Sequence, residues 1–357
     1  MTDTLKETSD YYLLAWRPVN TEQRTDKFKR ITVRVTGHPD WTVRLPRGYL
    51  ETERQAAGDS SKDAKNAPKP ETVEQSIPPA MADLRSALVA TYPQQALVTL
   101  LNVTFLDTPN NGPVLTASTQ VATQHLSYGM DGRAAAVVDL AGVILNAEGK
   151  LAGSFRTKLS VDSPSEKRPE ADNAGVIYNH RAPLAPGLYQ VRVAARDERS
   201  HRVGSAMQWI EVPDLKAQGL SLSSLLAGVQ AVDETQKTSA SPAALPQVQF
   251  SVDNRFSRSS RLGFLSFIYN ALKRTASERA MIDLTGQVQV FNSQGQAVLD
   301  VPARKVLTDA ATDPARIPYA GSLPLHALAP GEYVLRVTVT DNVAGMRAIR
   351  ELNFTVE

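Results

Sequence analysis

No cysteine occurs in the 357 residues. Disulfides, thiolate metal sites and thiol catalysis are therefore excluded, while the compartment is left open. Long apolar runs are missing too: none approaches the roughly 20 residues that a helix needs to cross a bilayer. Met1 to Asp10 is polar and carries Asp3, Glu7 and Asp10, so it is not expected to be a signal peptide, and an export signal would lie upstream. Charge of one sign is absent, with 39 Lys and Arg against 37 Asp and Glu and a net charge of +2. That balance leaves no electrostatic footprint for nucleic acid. Aromatic residues make up only 6%, few for a face that stacks sugar rings.

Catalytic signatures are missing as well. The nucleophile elbow G-x-S-x-G, the phosphate loop G-x-x-x-x-G-K-[ST] and the dinucleotide fingerprint G-x-G-x-x-G do not occur. The five histidines, His38, His125, His180, His201 and His326, show no i,i+2 or i,i+4 spacing of metal ligands. The expectation is a chain with no catalytic residues, no cofactor and no metal site.

What is present is a repetition. Leu184-Ala185-Pro186-Gly187-Leu188-Tyr189-Gln190-Val191-Arg192-Val193-Ala194-Ala195-Arg196-Asp197 returns as Leu328-Ala329-Pro330-Gly331-Glu332-Tyr333-Val334-Leu335-Arg336-Val337-Thr338-Val339-Thr340-Asp341, 144 residues later. Val138-Asp139-Leu140-Ala141-Gly142 returns at the same spacing as Ile282-Asp283-Leu284-Thr285-Gly286. A period this long means two whole domains in series rather than a solenoid of short units.

Each copy closes on a Pro-Gly corner and an alternating run, with Tyr189, Val191, Val193 and Ala195 on one side and Gln190, Arg192 and Ala194 on the other. Period-two alternation marks a half-buried strand. A last strand follows in each copy, Met207 to Val212 and Leu352 to Val356. Val137 to Leu145 and Met281 to Phe291 are apolar or β-favouring and run into Gly turns. The fold class is thus all-β: two tandem sandwiches of the immunoglobulin or fibronectin kind, over residues 79–231 and 247–357.

Ahead of them, Ile31 to Val35 and Trp41 to Leu45 read as a β-hairpin within residues 1–50, too small to fold alone. Residues 51–78 form a linker that is too polar to bury a core and is expected to be disordered. A short helix is predicted over Pro79 to Ala90, with Met81, Leu84 and Leu88 in one stripe. A second linker spans 232–246. Between Asp214 and Val229, Leu220, Leu222, Leu225 and Leu226 fit either a strand or a covering helix.

The repeated residues Pro186, Gly187, Tyr189 and Asp197, with Pro330, Gly331, Tyr333 and Asp341, read as structural. Tyr189 and Tyr333 have the place of a tyrosine corner. The aspartates, with Asp139 and Asp283, fit turn chemistry better than calcium ligation, since no Asp-x-Asp cluster completes a cage. The basic stretch from Arg255 to Arg279 is interleaved with Phe256, Phe264, Phe267 and Tyr269. It reads as a core strand between solvated loops rather than a single-strand binding groove. Two sequons, Asn102-Val103-Thr104 and Asn353-Phe354-Thr355, fall inside predicted strands and count as coincidence.

One resemblance rests on the N-terminal block. Tyr11-Tyr12-Leu13-Leu14-Ala15-Trp16-Arg17-Pro18, Phe28 to Val35 and Val43 to Tyr49 resemble the closing strands of von Willebrand factor A-related proteins of acidobacterial type. The Ala-Pro-Gly-x-Tyr strands resemble the sandwich region downstream in that family. The family's cation motif, Asp-x-Ser-x-Ser, is missing, since Asp162-Ser163-Pro164-Ser165 fails at its third position. The resemblance implies the C-terminal part of a longer bacterial protein, extracellular, periplasmic or cell-surface. It also implies a protein or cell-surface partner. The expected function is a non-catalytic binding or adhesion module. The alternative is a carbohydrate-binding accessory to a secreted hydrolase.

Overall fold

The computed structural model describes residues 81–129, 135–162, 175–216, 219–230, 248–276, 279–308 and 312–357. The expected hairpin of residues 1–50 and the linkers 51–78 and 232–246 lie outside them, as does His38. Within them the chain is all-β, built from sheets that are antiparallel but for one short parallel pair, with one α-helix.

The first sandwich has seven strands: β1 (Thr99–Thr108), β2 (Gly112–Val121), β3 (Ala135–Asn146), β4 (Leu151–Asp162), β5 (Val176–Pro183), β6 (Gly187–Asp197) and β7 (Val203–Val212). They form one sheet in the order β1-β2-β5 and another in the order β4-β3-β6-β7. That is the three-plus-four division of a fibronectin-type sandwich. Tyr189, Val191, Val193 and Ala195 of β6 turn inward and are buried, as the alternation requires.

The second sandwich uses β8 (Ser221–Leu222), β9 (Leu226–Gln230), β10 (Val248–Phe250), β11 (Arg255–Phe256), β12 (Arg261–Tyr269), β15 (Leu284–Asn292), β16 (Ala297–Lys305), β17 (Ile317–Pro324), β18 (Gly331–Asp341) and β19 (Met346–Val356). A small hairpin, β13 (Lys273–Ala276) with β14 (Arg279–Ile282), stands between β12 and β15. The two sheets run β10-β9-β12-β17 and β11-β19-β18-β15-β16. Strands β15, β16, β18 and β19 repeat β3, β4, β6 and β7 in order and pairing. Tyr333, Leu335, Val337 and Val339 repeat the buried inner row.

Of the ambiguous leucines, Leu220 and Leu225 are buried just outside strands, and the other two lie in them. Leu222 lies in β8 and Leu226 opens β9, and both strands pair with β12. The second sandwich therefore takes its first strands from residues 221–230, ahead of the 232–246 boundary that composition marks. The reason is physical: β12 is too apolar to stand at a sheet edge, and the leucine-rich stretch supplies its neighbour.

The predicted helix is α1 (Ala82–Val89), with Leu84, Ala87 and Leu88 buried. It lies on the outer face of β3, β6 and β7, against Ala141, Val143, Ala194 and Val203. Small residues there let the helix come close. This explains why β3 is buried on both faces from Val138 to Ile144. In the second copy the same positions read Thr285, Gln287, Thr338 and Arg347, and that face carries a polar ladder instead. Gln287 and Gln289 donate their side-chain amides to Asp300 at 2.9 and 3.1 Å.

Candidate functional site

Three features stand out: the repeated Pro-Gly corner, the repeated aspartates that end β6 and β18, and the contact between the sandwiches.

At the corner, Gly187 and Gly331 adopt φ +156° and +157°. The Tyr189 hydroxyl donates to Ala185 O at 2.8 Å, and the Tyr333 hydroxyl to Ala329 O at 2.8 Å. Each bond spans four residues and locks the chain just before its strand, as a tyrosine corner does. Pro186 and Pro330 sit inside the two loops so closed. Tyr333→Phe keeps the ring and removes the bond. The second sandwich is expected to lose about 1 kcal/mol, measured by urea unfolding against wild type.

The aspartates do more than turn chemistry. Asp197 is fully buried. Its Oδ2 accepts from the Ser127 backbone N–H at 2.9 Å and from the Ser200 hydroxyl at 2.6 Å, and its Oδ1 from Arg199 N–H at 3.2 Å. Asp341 is also fully buried. It accepts from Leu272 N–H at 2.7 Å and from Val343 and Ala344 N–H at 2.9 Å each. Each carboxylate thus pins the turn after its own strand to the segment leading into β3 or β15. Burial alone pushes the Asp197 carboxyl up, but the bonds from Ser200, Ser127 and Arg199 outweigh it and hold the group below its usual range.

The upstream pair has diverged. Asp139, read as a turn residue, is instead buried inside β3. It takes the Arg196 guanidinium at 2.7 Å and the Lys158 ammonium at 3.3 Å. Arg196 reaches on to Asp83 in the first turn of α1 at 3.0 Å, while Arg192 donates to the carbonyls of Leu88 and Ala90 at the other end. Two arginines of one strand thus hold both ends of the helix. Among the described residues Asp283 has no such partner, because Thr340 stands where Arg196 would be. It meets Lys305 at 3.7 Å near the surface.

The sandwiches join head to tail along β1. Asp107 accepts from Arg316 at 3.1 Å, and the Arg350 guanidinium lies 5.7 Å from the Phe105 ring centre. Tyr269 of β12 packs into the core of the first sandwich, joined by Phe267 and Leu215. Burial drives the Tyr269 hydroxyl up to about 12, so it stays protonated at neutral pH.

The described histidines do not gather. His180 stacks on Phe155 at 4.2 Å on one sandwich side, and burial holds its imidazole below the usual value. His125 and His201 are at the end away from the joint, and His326 precedes the second corner. Among the described residues no group of three or more His, Cys, Asp or Glu is placed to hold a metal. The basic residues of 255–261 are solvent-exposed, with Arg255 paired to Glu357 and Arg258 donating to His326 O. Asn102 lies within β1 and Asn353 within β19. Tyr92 and Phe250, at 62% and 45% exposure, belong to different sandwiches, so they do not make one flat sugar platform.

No family model matches the sequence, and no curated protein matches it. Solved structures with a similar backbone include Bacteroides uniformis beta-glucuronidase 2 bound covalently to cyclophellitol-6-carboxylate aziridine, with TM-score 0.26 and 9% identity. Another crystal structure of Bacteroides uniformis beta-glucuronidase and a calcium-binding mutant of beta-glucuronidase 2 each give a TM-score of 0.25 and 9% identity. In each case the match covers 67% of this chain and 26% of the other. Likeness at that level assigns no activity to this chain.

Proposed function

We propose that this chain is a non-catalytic binding and structural module of an exported or surface-attached bacterial protein, with a protein partner met at the loop end of its first sandwich. One observation carries the proposal. The same pinned loop end occurs in both copies, and in the second copy it is already used. There Asn270 donates to Leu215 O at 2.6 Å and Met346 lies against Gly219, so that end receives the chain coming from the first sandwich. The matching end of the first sandwich, with Asp197 at its centre, points away from the joint.

His201 lies at the tip of that end with φ +58°, where the second copy has Gly345 at φ +65°. A left-handed setting costs a side-chain residue energy that glycine avoids. His201→Gly is expected to stabilise the fold by roughly 0.5 kcal/mol, seen as a higher urea midpoint, while weakening partner contact.

Photo-crosslinking in the native host tests the reading. A reactive residue at position 199 is expected to capture a protein, and one at position 293, in the β15–β16 turn, is not. Protease shaving of intact cells is expected to release peptides of this chain. Equal capture at both positions, or peptides only in the cytoplasmic fraction, would overturn the proposal. Capture of glycan alone on an array would favour the carbohydrate-binding alternative.

A further inference from the structure

Among the described residues strand β1 is an edge of its sheet, because β2 pairs with it on one side and no described strand pairs with it along Asn102–Thr108 on the other. An edge strand leaves every second backbone N–H pointing outward, and such a row invites pairing with another chain. Here the row belongs to Val103, Phe105 and Asp107. Each of the three N–H groups is taken by a side-chain oxygen: Gln208 Oε1 at 2.9 Å, Ser224 Oγ at 3.0 Å and the Tyr269 hydroxyl at 2.9 Å. Ser224 also returns its own N–H to Phe105 O at 3.3 Å. Gln208 comes from the same sandwich. Ser224 and Tyr269 come from the second, 119 and 162 residues away from their partners.

We infer that the second sandwich seals the β1 edge of the first, standing in for a missing strand, and that the two sandwiches consequently unfold as one unit. Apolar continuity supports this. Tyr269, 1% exposed, is buried against the first sandwich with Phe105, 2% exposed. Opening the joint would strip the cover from that core and free two of the three edge N–H groups together. Such groups without partners are costly away from water. Neither sandwich therefore has a low-cost way to open alone.

The test uses the full chain and hydrogen exchange read by mass spectrometry across a urea series. Peptides from β1–β7 and from β12–β19 are expected to lose protection at one common urea concentration in the wild type. In the double variant Ser224→Ala, Tyr269→Phe the two sets are expected to separate. The peptide holding Phe105 and Asp107 should then exchange roughly tenfold faster in the absence of urea, matching about 1.4 kcal/mol of lost protection. The variant Ser260→Ala, on an exposed turn of the second sandwich, should leave the single transition intact. Two transitions in the wild type would overturn the inference. So would a double variant that keeps one transition and wild-type exchange in the β1 peptide.

Discussion

Gly204→Ala is expected to destabilise the first sandwich by about 3 kcal/mol, for among the described glycines it is the one whose added β-carbon would fall nearest another atom. Gly204 lies in β7 where residues 94–97 cross it. A β-carbon there would fall inside the van der Waals radii of the Leu97 carbonyl oxygen and the Thr99 hydroxyl. The obstacle is backbone, so no rotamer change relieves it. The crossing segment would have to lift away. It is tied down by Ser205 N–H to Gln94 O at 2.9 Å, Leu97 N–H to Val203 O at 3.2 Å and Gln94 N–H to the Ser205 hydroxyl at 2.8 Å. Three bonds at about 1 kcal/mol each set the magnitude. Ala348, the matching residue 144 positions on, already carries a β-carbon, so Ala348→Gly tests the contrast. It should cost no more than the ordinary glycine penalty, about 1 kcal/mol. Urea unfolding of both variants checks the pair. Equal losses would show that the crossing is not what excludes a side chain.

Asp197→Ala is the second large effect, again about 3 kcal/mol, because it strands the Ser127 and Arg199 N–H groups and the Ser200 hydroxyl around a buried hole. Asp197→Asn keeps the volume and one acceptor and should cost roughly half as much. The pH dependence follows from the lowered folded-state value. The unfolded chain takes up the proton first as pH falls, so the stabilisation is complete above about 3.8 and is lost below that, through the lower folded value. Wild type should therefore lose stability in that window more steeply than Asp197→Asn, whose side chain does not titrate there. Parallel acid curves for the two proteins would contradict the assignment.

How much of this was legible before the structure depends on how far each signal travels along the chain. The Pro-Gly corner, its tyrosine and its closing aspartate form a local pattern, so the sequence exposes them directly, along with the all-β class and the duplication. The cover over β3 was half legible. The near-unbroken apolar run from Val137 to Leu145 is what a strand buried on both faces requires, and the stripe of α1 supplies the cover. The different fates of Asp139 and Asp283 were hidden, because their local sequences match and what separates them, above all Arg196 against Thr340, lies on neighbouring strands. Gly204 gives no sequence signal at all, since its constraint comes from backbone more than 100 residues earlier. The acceptors that seal β1 are equally silent, for a serine, a glutamine and a tyrosine on distant strands have no periodicity to betray them.

One small contact has a mechanical consequence. Strand β11 is parallel to the end of β19, with Arg255 opposite Thr355 and Phe256 opposite Val356. Thr355 N–H to Asn254 O, Glu357 N–H to Phe256 O and Arg258 N–H to Glu357 O, each 2.9 Å, hold the two together. In a parallel pair, tension applied at Glu357 runs along the strand and across all three bonds. They bear the load in shear and must fail together, whereas the antiparallel hairpin of β18 and β19 would peel one rung at a time. Under an optical trap pulling on the C-terminus, this two-residue strand is expected to act as the latch that sets the force at which the second sandwich yields.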